Sequence, residues 1–167
     1  MSRHAHAGCQ RGVVLVALLL AMMFTAVLAL AGAETWATTL RREREVELLF
    51  VGAQYRQAIR AYYFGAPPGQ ARVLPARLED LLEDRRHLVP TRYLRRLYPD
   101  PISGTADWGL ALRGDRIAGV YSRSDATPLK QTNFDRADSA FEGRGAYKDW
   151  VFQYVPPAQS IRRRSAP

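Results

Sequence analysis

The chain has 167 residues, with 24 Lys and Arg against 16 Asp and Glu, and its formal net charge is +8. Its only cysteine is Cys9, so no intrachain disulfide supports the fold and any core depends on packing. This length allows one small core beside a long helix, and it excludes a cleft between two sizeable domains.

The first element is an uncharged stretch at residues 13–33, VVLVALLLAMMFTAVLALAGA, which follows a basic leader at residues 1–12. About 20 helical residues, rising ~1.5 Å each, span the ~30 Å hydrocarbon core of a bilayer. We therefore predict a transmembrane helix here. Because Arg3 and Arg11 precede the stretch, the positive-inside rule keeps the N-terminus cytoplasmic and sends the rest of the chain across.

A second interpretation of the same stretch is a cleaved secretory signal. Ala31-Gly32-Ala33 has the small-x-small pattern that signal peptidase recognises, and it is followed by Glu34. Under this alternative the chain is a secreted soluble domain. The apolar regions of signal peptides run ~7–15 residues, which is shorter than this stretch, so the sequence favours an uncleaved membrane helix.

Residues 34–64 contain no proline and continue the predicted helix as an amphipathic half. Apolar residues recur at steps of three and four, which predicts one buried face against a sheet; they are Leu48, Val51, Tyr55, Ile59 and Tyr62. The following GAPPG, at residues 65–69, ends the helix because proline cannot continue its hydrogen-bond ladder.

Opposite charges alternate where this amphipathic half begins. Arg41 precedes Glu45 by four residues and Arg44 precedes Glu47 by three, spacings that bring side chains together on a helix surface. The structural interpretation is a solvated helix face. The functional interpretation is that these four charges pair between neighbouring subunits.

Residues 65–155 have the pattern of a small α+β head. We predict a short amphipathic helix at 75–84, a further turn at 92–97, strands at 108–113, 116–122 and 147–155, and an irregular loop at 123–146. Gly114-Asp115 joins the first two strands as a hairpin turn. Within YPDPISGTADWG (98–109), the prolines and a turn at Ser103-Gly104 are expected to deliver Trp108 into the core. Residues 156–167 form a basic tail.

The head offers little chemistry. His87 has no nucleophile pattern around it, and the acidic pairs Glu79-Asp80 and Glu83-Asp84 are expected on the exposed face of the short helix. The loop carboxylates lack the oxygen-ligand spacing of a calcium site; they are Asp125, Asp135, Asp138 and Glu142. We predict no catalytic residues, no metal and no cofactor, and hence no enzyme.

Several stretches resemble prepilin-type pseudopilin proteins of bacterial type II secretion systems. They are RREREVELLFVGAQYRQAIRAYY, LEDLLED, YLRRLYPDPISGTADWGL and IAGVYSRS, together with the basic leader that ends at Gly12. The resemblance covers residues 10–157 and implies a type IV pilin-like fold, with a long N-terminal helix packed on a small antiparallel sheet. It further implies cleavage after Gly12 by a prepilin peptidase and methylation of Val13.

Two positions depart from the family pattern. The family usually has Phe first and Glu fifth after the cleavage site, where this chain has Val13 and Ala17. That Glu is thought to meet the terminal amine of a neighbouring subunit, and an unpaired carboxylate inside lipid would be costly. Family members that lack it occur among minor subunits, so the resemblance implies a minor or atypical subunit here.

The resemblance also implies where the protein works. The expected location is the bacterial inner membrane, single-pass, with the C-terminal domain in the periplasm. Its expected partners are other pseudopilins, an inner-membrane secretion platform and the prepilin peptidase, in a homo- or hetero-oligomer that aids protein export. The net charge of +8 leaves one alternative open, a pilin-like subunit for DNA uptake. The arginines are scattered among acids, so we do not expect nucleic acid as a partner.

Overall fold

A computed structural model of the chain describes residues 7–157; within its helix, the side chains of residues 7–11 and 27–35 fall outside that description. The predicted leader and tail therefore lie largely outside the described residues. Helix α1 covers Ala7–Phe64, and strands β1, β2 and β3 cover Gly109–Arg113, Arg116–Tyr121 and Phe152–Gln153. The described part of the chain is thus α+β, as predicted.

The chain divides into two compact units, one ending at Arg42 and the other beginning at Glu43. The described residues of the first unit, from Ala7 onward, are helical, in keeping with the absence of proline and the good helix formers along them. A search of the described residues finds no helix that combines the length and apolarity needed to span a bilayer. Of the predicted membrane segment, the side chains of residues 27–33 are outside the description.

The second unit confirms the predicted buried face of α1. All five members of the apolar stripe are at most 5% exposed, because their three- and four-residue spacing places them on one side of the helix. Gly52, on the same side, lies so close to the Phe152 ring of β3 that a Cβ on it would come within 2.4 Å of ring carbons. Helix and sheet thus share one core.

The three strands form an antiparallel sheet in the order β1-β2-β3. Gly114-Asp115 makes the predicted hairpin turn, in which Gly114 adopts a φ of 66°, a conformation that costs glycine little. A register shift between Ala111 and Leu112 interrupts the β1-β2 pairing. Both outer strands are short, and every residue of β2 from Ile117 to Val120 is buried.

The predicted third strand, 147–155, is wrong in its extent. Residues Tyr147–Asp149 form a 3-10 turn, and only Phe152–Gln153 pair with β2. The amides of Tyr147 and Lys148 donate instead to the carbonyls of Ala126 and Ser124 in the preceding loop, so they are unavailable to the sheet. Trp150 and Phe152 are nevertheless fully buried.

The predicted helix and the predicted turn of the head are also corrected. Only Leu78–Leu81 is helical, as a 3-10 turn, because the Asp80 carboxylate accepts hydrogen bonds from the amides of Ala76 and Arg77 and tightens the chain there. The predicted turn at 92–97 is only a series of bends, because the Tyr93 and Leu94 amides both donate to the carbonyl of Leu81. Long-range hydrogen bonds therefore replace the local helical ones.

The segment before β1 delivers Trp108 into the core, as predicted. Trp108 is 4% exposed, and its indole N–H donates to the carbonyl oxygen of Tyr98 over 2.8 Å. The Tyr55 hydroxyl donates to the same oxygen and accepts from the Tyr98 amide, and burial raises the pKa of Tyr55 to about 12. Asp100, fully buried, accepts from the Ser122 hydroxyl and the Ile102 amide.

Candidate functional site

The predicted processing residues lie on a helical segment that presents its side chains outward. Val13 is 65% exposed, and a Cβ on Gly12 would meet no other atom within 4 Å. Ala17, at the position where the family resemblance expects Glu, is exposed as well. From Val13 to Phe24 all the large apolar side chains are at least 56% exposed. Within the first unit, this segment is therefore an uncovered apolar surface.

The four candidate inter-subunit charges separate into two groups. Arg44 and Glu47 are exposed, and so is Arg41, which remains consistent with the predicted role of these three. Glu45 is only 4% exposed, and its carboxylate is engaged inside its own chain. The prediction that Glu45 pairs with a neighbouring subunit is therefore corrected.

Glu45 anchors the long loop that connects β2 to β3. Its two oxygens accept hydrogen bonds from the backbone amides of Leu129 and Lys130 and from the hydroxyl of Tyr147, each over 2.8 Å. A carboxylate that accepts three donors satisfies most of its lone pairs without a cation. The helix thus holds the loop at two points through one side chain.

A second anchor joins the helix to the same loop. The Arg56 guanidinium pairs with the Asp138 carboxylate, and both side chains are largely buried. Elsewhere in the loop, Asp125 pairs with Lys148 at the surface. Within the part of the chain that the structure describes, no group of three or more His, Cys, Asp or Glu side chains is arranged to hold a metal ion.

The acidic pairs of residues 79–84 were predicted on an exposed face, and Asp84 departs from that prediction. It is 1% exposed, because the antiparallel bridge between Asp84 and Thr91 draws it inward. The Arg86 guanidinium donates to both of its oxygens over 2.7–3.1 Å, and Tyr93 adds its hydroxyl. Arg86 also donates to the Tyr62 carbonyl and stacks over the Tyr62 ring at 3.6 Å.

This network closes a six-residue loop, 85–90, and ties it to the last turn of α1. His87 belongs to this network, because its Nε2 lies 3.5 Å from an Asp84 oxygen. The two side chains form an ion pair only when the imidazole is protonated. No nucleophile lies beside His87 among these contacts. Leu88 and Val89 at the tip of the loop are 106% and 77% exposed.

We expect Asp84 to make an acid-sensitive contribution to the free energy of unfolding. Burial alone would raise its pKa, but hydrogen bonds from the Arg86 guanidinium and amide hold the pKa below its ordinary value. Because the folded pKa is lower than the unfolded one, the contribution is present above about pH 4 and is lost as pH falls through the folded pKa.

We expect Asp84→Asn to flatten the loss of stability between about pH 5 and pH 3, and to cost about 1–3 kcal/mol at neutral pH because Arg86 loses its charged partner. Urea denaturation across this pH range measures both effects. Glu83→Gln, at a side chain that is 51% exposed, is the matched control and should leave the curve unchanged. Equal acid dependence in Asp84→Asn and wild type would contradict the assignment.

Two pockets lie on the second unit. A polar one of about 430 Å³ adjoins the Asp84 network and mixes arginines with carboxylates. A more apolar groove of about 550 Å³ runs between α1 and the segment after β3, with Phe64, Tyr154 and Val155 among its lining residues. Neither combines a nucleophile with a base.

Comparison with known proteins identifies no relative: no family model, no characterised protein and no solved structure matches this chain. The assignment of function therefore depends on the residues and their geometry.

Sequence reasoning missed the burial of Glu45 and Asp84. A signal for Glu45 was present, because it stands three residues before Leu48 and so lies on the buried face of α1. Asp84 had no comparable signal, since its partners are set by the bridge to Thr91.

Proposed function

We propose that this chain is a pseudopilin-like structural subunit, anchored in the bacterial inner membrane by residues 13–33, with its α+β head in the periplasm. Its work is mechanical: it joins or caps a short periplasmic pseudopilus that aids protein export. The partners are other pseudopilins, the secretion platform and a prepilin peptidase that cleaves after Gly12. Ala17, in place of the family's Glu, favours a minor subunit.

The observation that carries this proposal is the contrast between the two parts of α1. From Val13 to Phe24 the helix exposes every large apolar side chain, which in a soluble protein would be a costly surface of unusual size. From Leu48 to Tyr62 the helix buries its apolar stripe against a small antiparallel sheet. A membrane-held subunit requires a helix segment with an uncovered apolar surface and a head that packs its own core.

Mass spectrometry of the mature N-terminus tests the proposal. We expect the protein from cells with a matching prepilin peptidase to begin at a methylated Val13, and the protein from cells without it to retain the leader. Gly12→Leu should block cleavage by filling the position next to the cut bond, whereas Gly8→Leu, at the other leader glycine, should not.

A start at Glu34 would replace the proposal with a secreted domain released by signal peptidase. A leader that remains intact in the presence of the peptidase would also contradict it.

A further inference from the structure

Trp36 is the only tryptophan of the chain that lies on the surface. It is 71% exposed, whereas Trp108 is 4% exposed and Trp150 is fully buried. Tryptophan combines a large apolar ring with one N–H donor, and for this reason it concentrates where an apolar phase meets a wet one. Trp36 belongs to the first unit and follows the uncharged stretch by three residues, which is where such a boundary would lie if that stretch were in a bilayer.

Helix geometry gives the depth at which Trp36 lies. If residues 13–33 occupy the hydrocarbon core, their rise of about 30 Å matches its thickness. Trp36 then lies about 4.5 Å beyond the core, within a headgroup layer that is about 5–7 Å thick on each side. The charged residues on either side agree with this depth. Arg11 precedes the stretch, and Arg41-Arg42 follow Trp36 at the level of water and phosphate.

We infer that Trp36 is a lipid-interface anchor that sets the register of α1 in the bilayer, with the phospholipid headgroup layer as its partner. This inference rests on the proposed membrane anchoring. The ring packs among the upper acyl carbons, and the indole N–H donates to lipid carbonyl or phosphate oxygens. Moving Trp36 into the core or into water costs free energy, so the helix resists sliding along the membrane normal.

Depth-dependent fluorescence quenching tests the register. The full-length protein is placed in vesicles of phosphatidylcholine and phosphatidylglycerol whose acyl chains carry bromine either near the carbonyl end or near the methyl end. Subtracting the emission of Trp36→Phe isolates Trp36, because Trp108 and Trp150 are buried in the head and provide an unquenched baseline. We expect Trp36 to be quenched at least about twofold more by the shallow bromine.

A second variant calibrates the depth scale. Phe24, which is 67% exposed, lies about 16 Å along the helix from Val13 and so near the middle of the core. In Phe24→Trp combined with Trp36→Phe, the deep bromine should quench more strongly than the shallow one.

The outcomes separate the register from the anchoring. One outcome is that the tryptophan introduced at position 24 is quenched, while Trp36 is quenched more by the deep bromine than by the shallow one or is not quenched at all. In that case the protein is anchored and the register inference is wrong. If the Trp36 emission shifts to the blue as protein concentration rises, without quenching by lipid, then Trp36 contacts a second copy of the chain. That result also overturns the register inference. If neither position is quenched, membrane anchoring itself fails and the proposed function fails with it.

Discussion

Replacing Glu45 by Ala is expected to lower the free energy of unfolding by about 3 kcal/mol. The substitution leaves the amides of Leu129 and Lys130 and the hydroxyl of Tyr147 without their acceptor. Each buried donor that loses its partner costs on the order of 1 kcal/mol or more. Glu45→Gln should cost less than Glu45→Ala, because the carbonyl oxygen of glutamine still accepts a hydrogen bond. Some loss remains, because the amide NH2 of glutamine then faces other donors.

Urea denaturation of the full chain measures the loss, and limited proteolysis within residues 123–146 reports whether the loop has come free. Glu47→Ala is the matched control, since Glu47 lies two residues further along the same helix and is exposed. Its effect should stay within about 0.5 kcal/mol. Equal stability losses for the two variants would show that Glu45 does not anchor the loop.

The second large effect is expected at Gly52, the point of closest approach between α1 and β3. A Cβ there would come within 2.4–2.5 Å of three ring carbons of Phe152, and that ring is fully buried beside Phe141. Alanine favours a helix over glycine by about 1 kcal/mol. Overpacking a core costs about 1–3 kcal/mol, so after the gain in helix propensity Gly52→Ala should be destabilising by up to about 2 kcal/mol.

A compensating variant identifies the cause. Phe152→Leu removes the ring from the contact, so the double variant with Gly52→Ala should be less destabilised than the sum of the two single variants. Thermal or urea denaturation of all four proteins completes the cycle. Additive losses would show that the helix and the ring do not meet as described, and a gain in stability from Gly52→Ala alone would contradict the close packing.

Local patterns in the sequence predicted the elements that repeat regularly. The stripe from Leu48 to Tyr62 follows from the helical period, and the β1-β2 hairpin follows from two strand-like runs joined by the two-residue turn Gly114-Asp115. Trp108 was also placed in the core from its neighbours, because prolines and a turn precede it. The predicted ends of these elements differ from the observed ones by one residue at most in the hairpin.

The elements that failed are those in which hydrogen bonds outside a regular helix or strand compete with the local preference. Residues 147–151 have strand-like side chains, yet the Tyr147 and Lys148 amides bond to the loop and form a turn. The short helix at 75–84 shrinks to one 3-10 turn because Asp80 and Asp84 find partners outside a regular helix. Side-chain hydrogen bonds of this kind compete with secondary structure.

The sequence by itself determined the α+β class, the buried face of α1, the hairpin and the uncharged stretch at residues 13–33, because each depends on residue order at short range. The tertiary structure alone decided which groups the buried charges bind. Glu45 and Glu47 are equivalent in composition and helix propensity, but only Glu45 faces the amides of a loop more than 80 residues away. Leaving those amides unpaired in the core would cost free energy, and this gives Glu45 its structural role. That cost depends on a distant loop and cannot be derived from the local sequence.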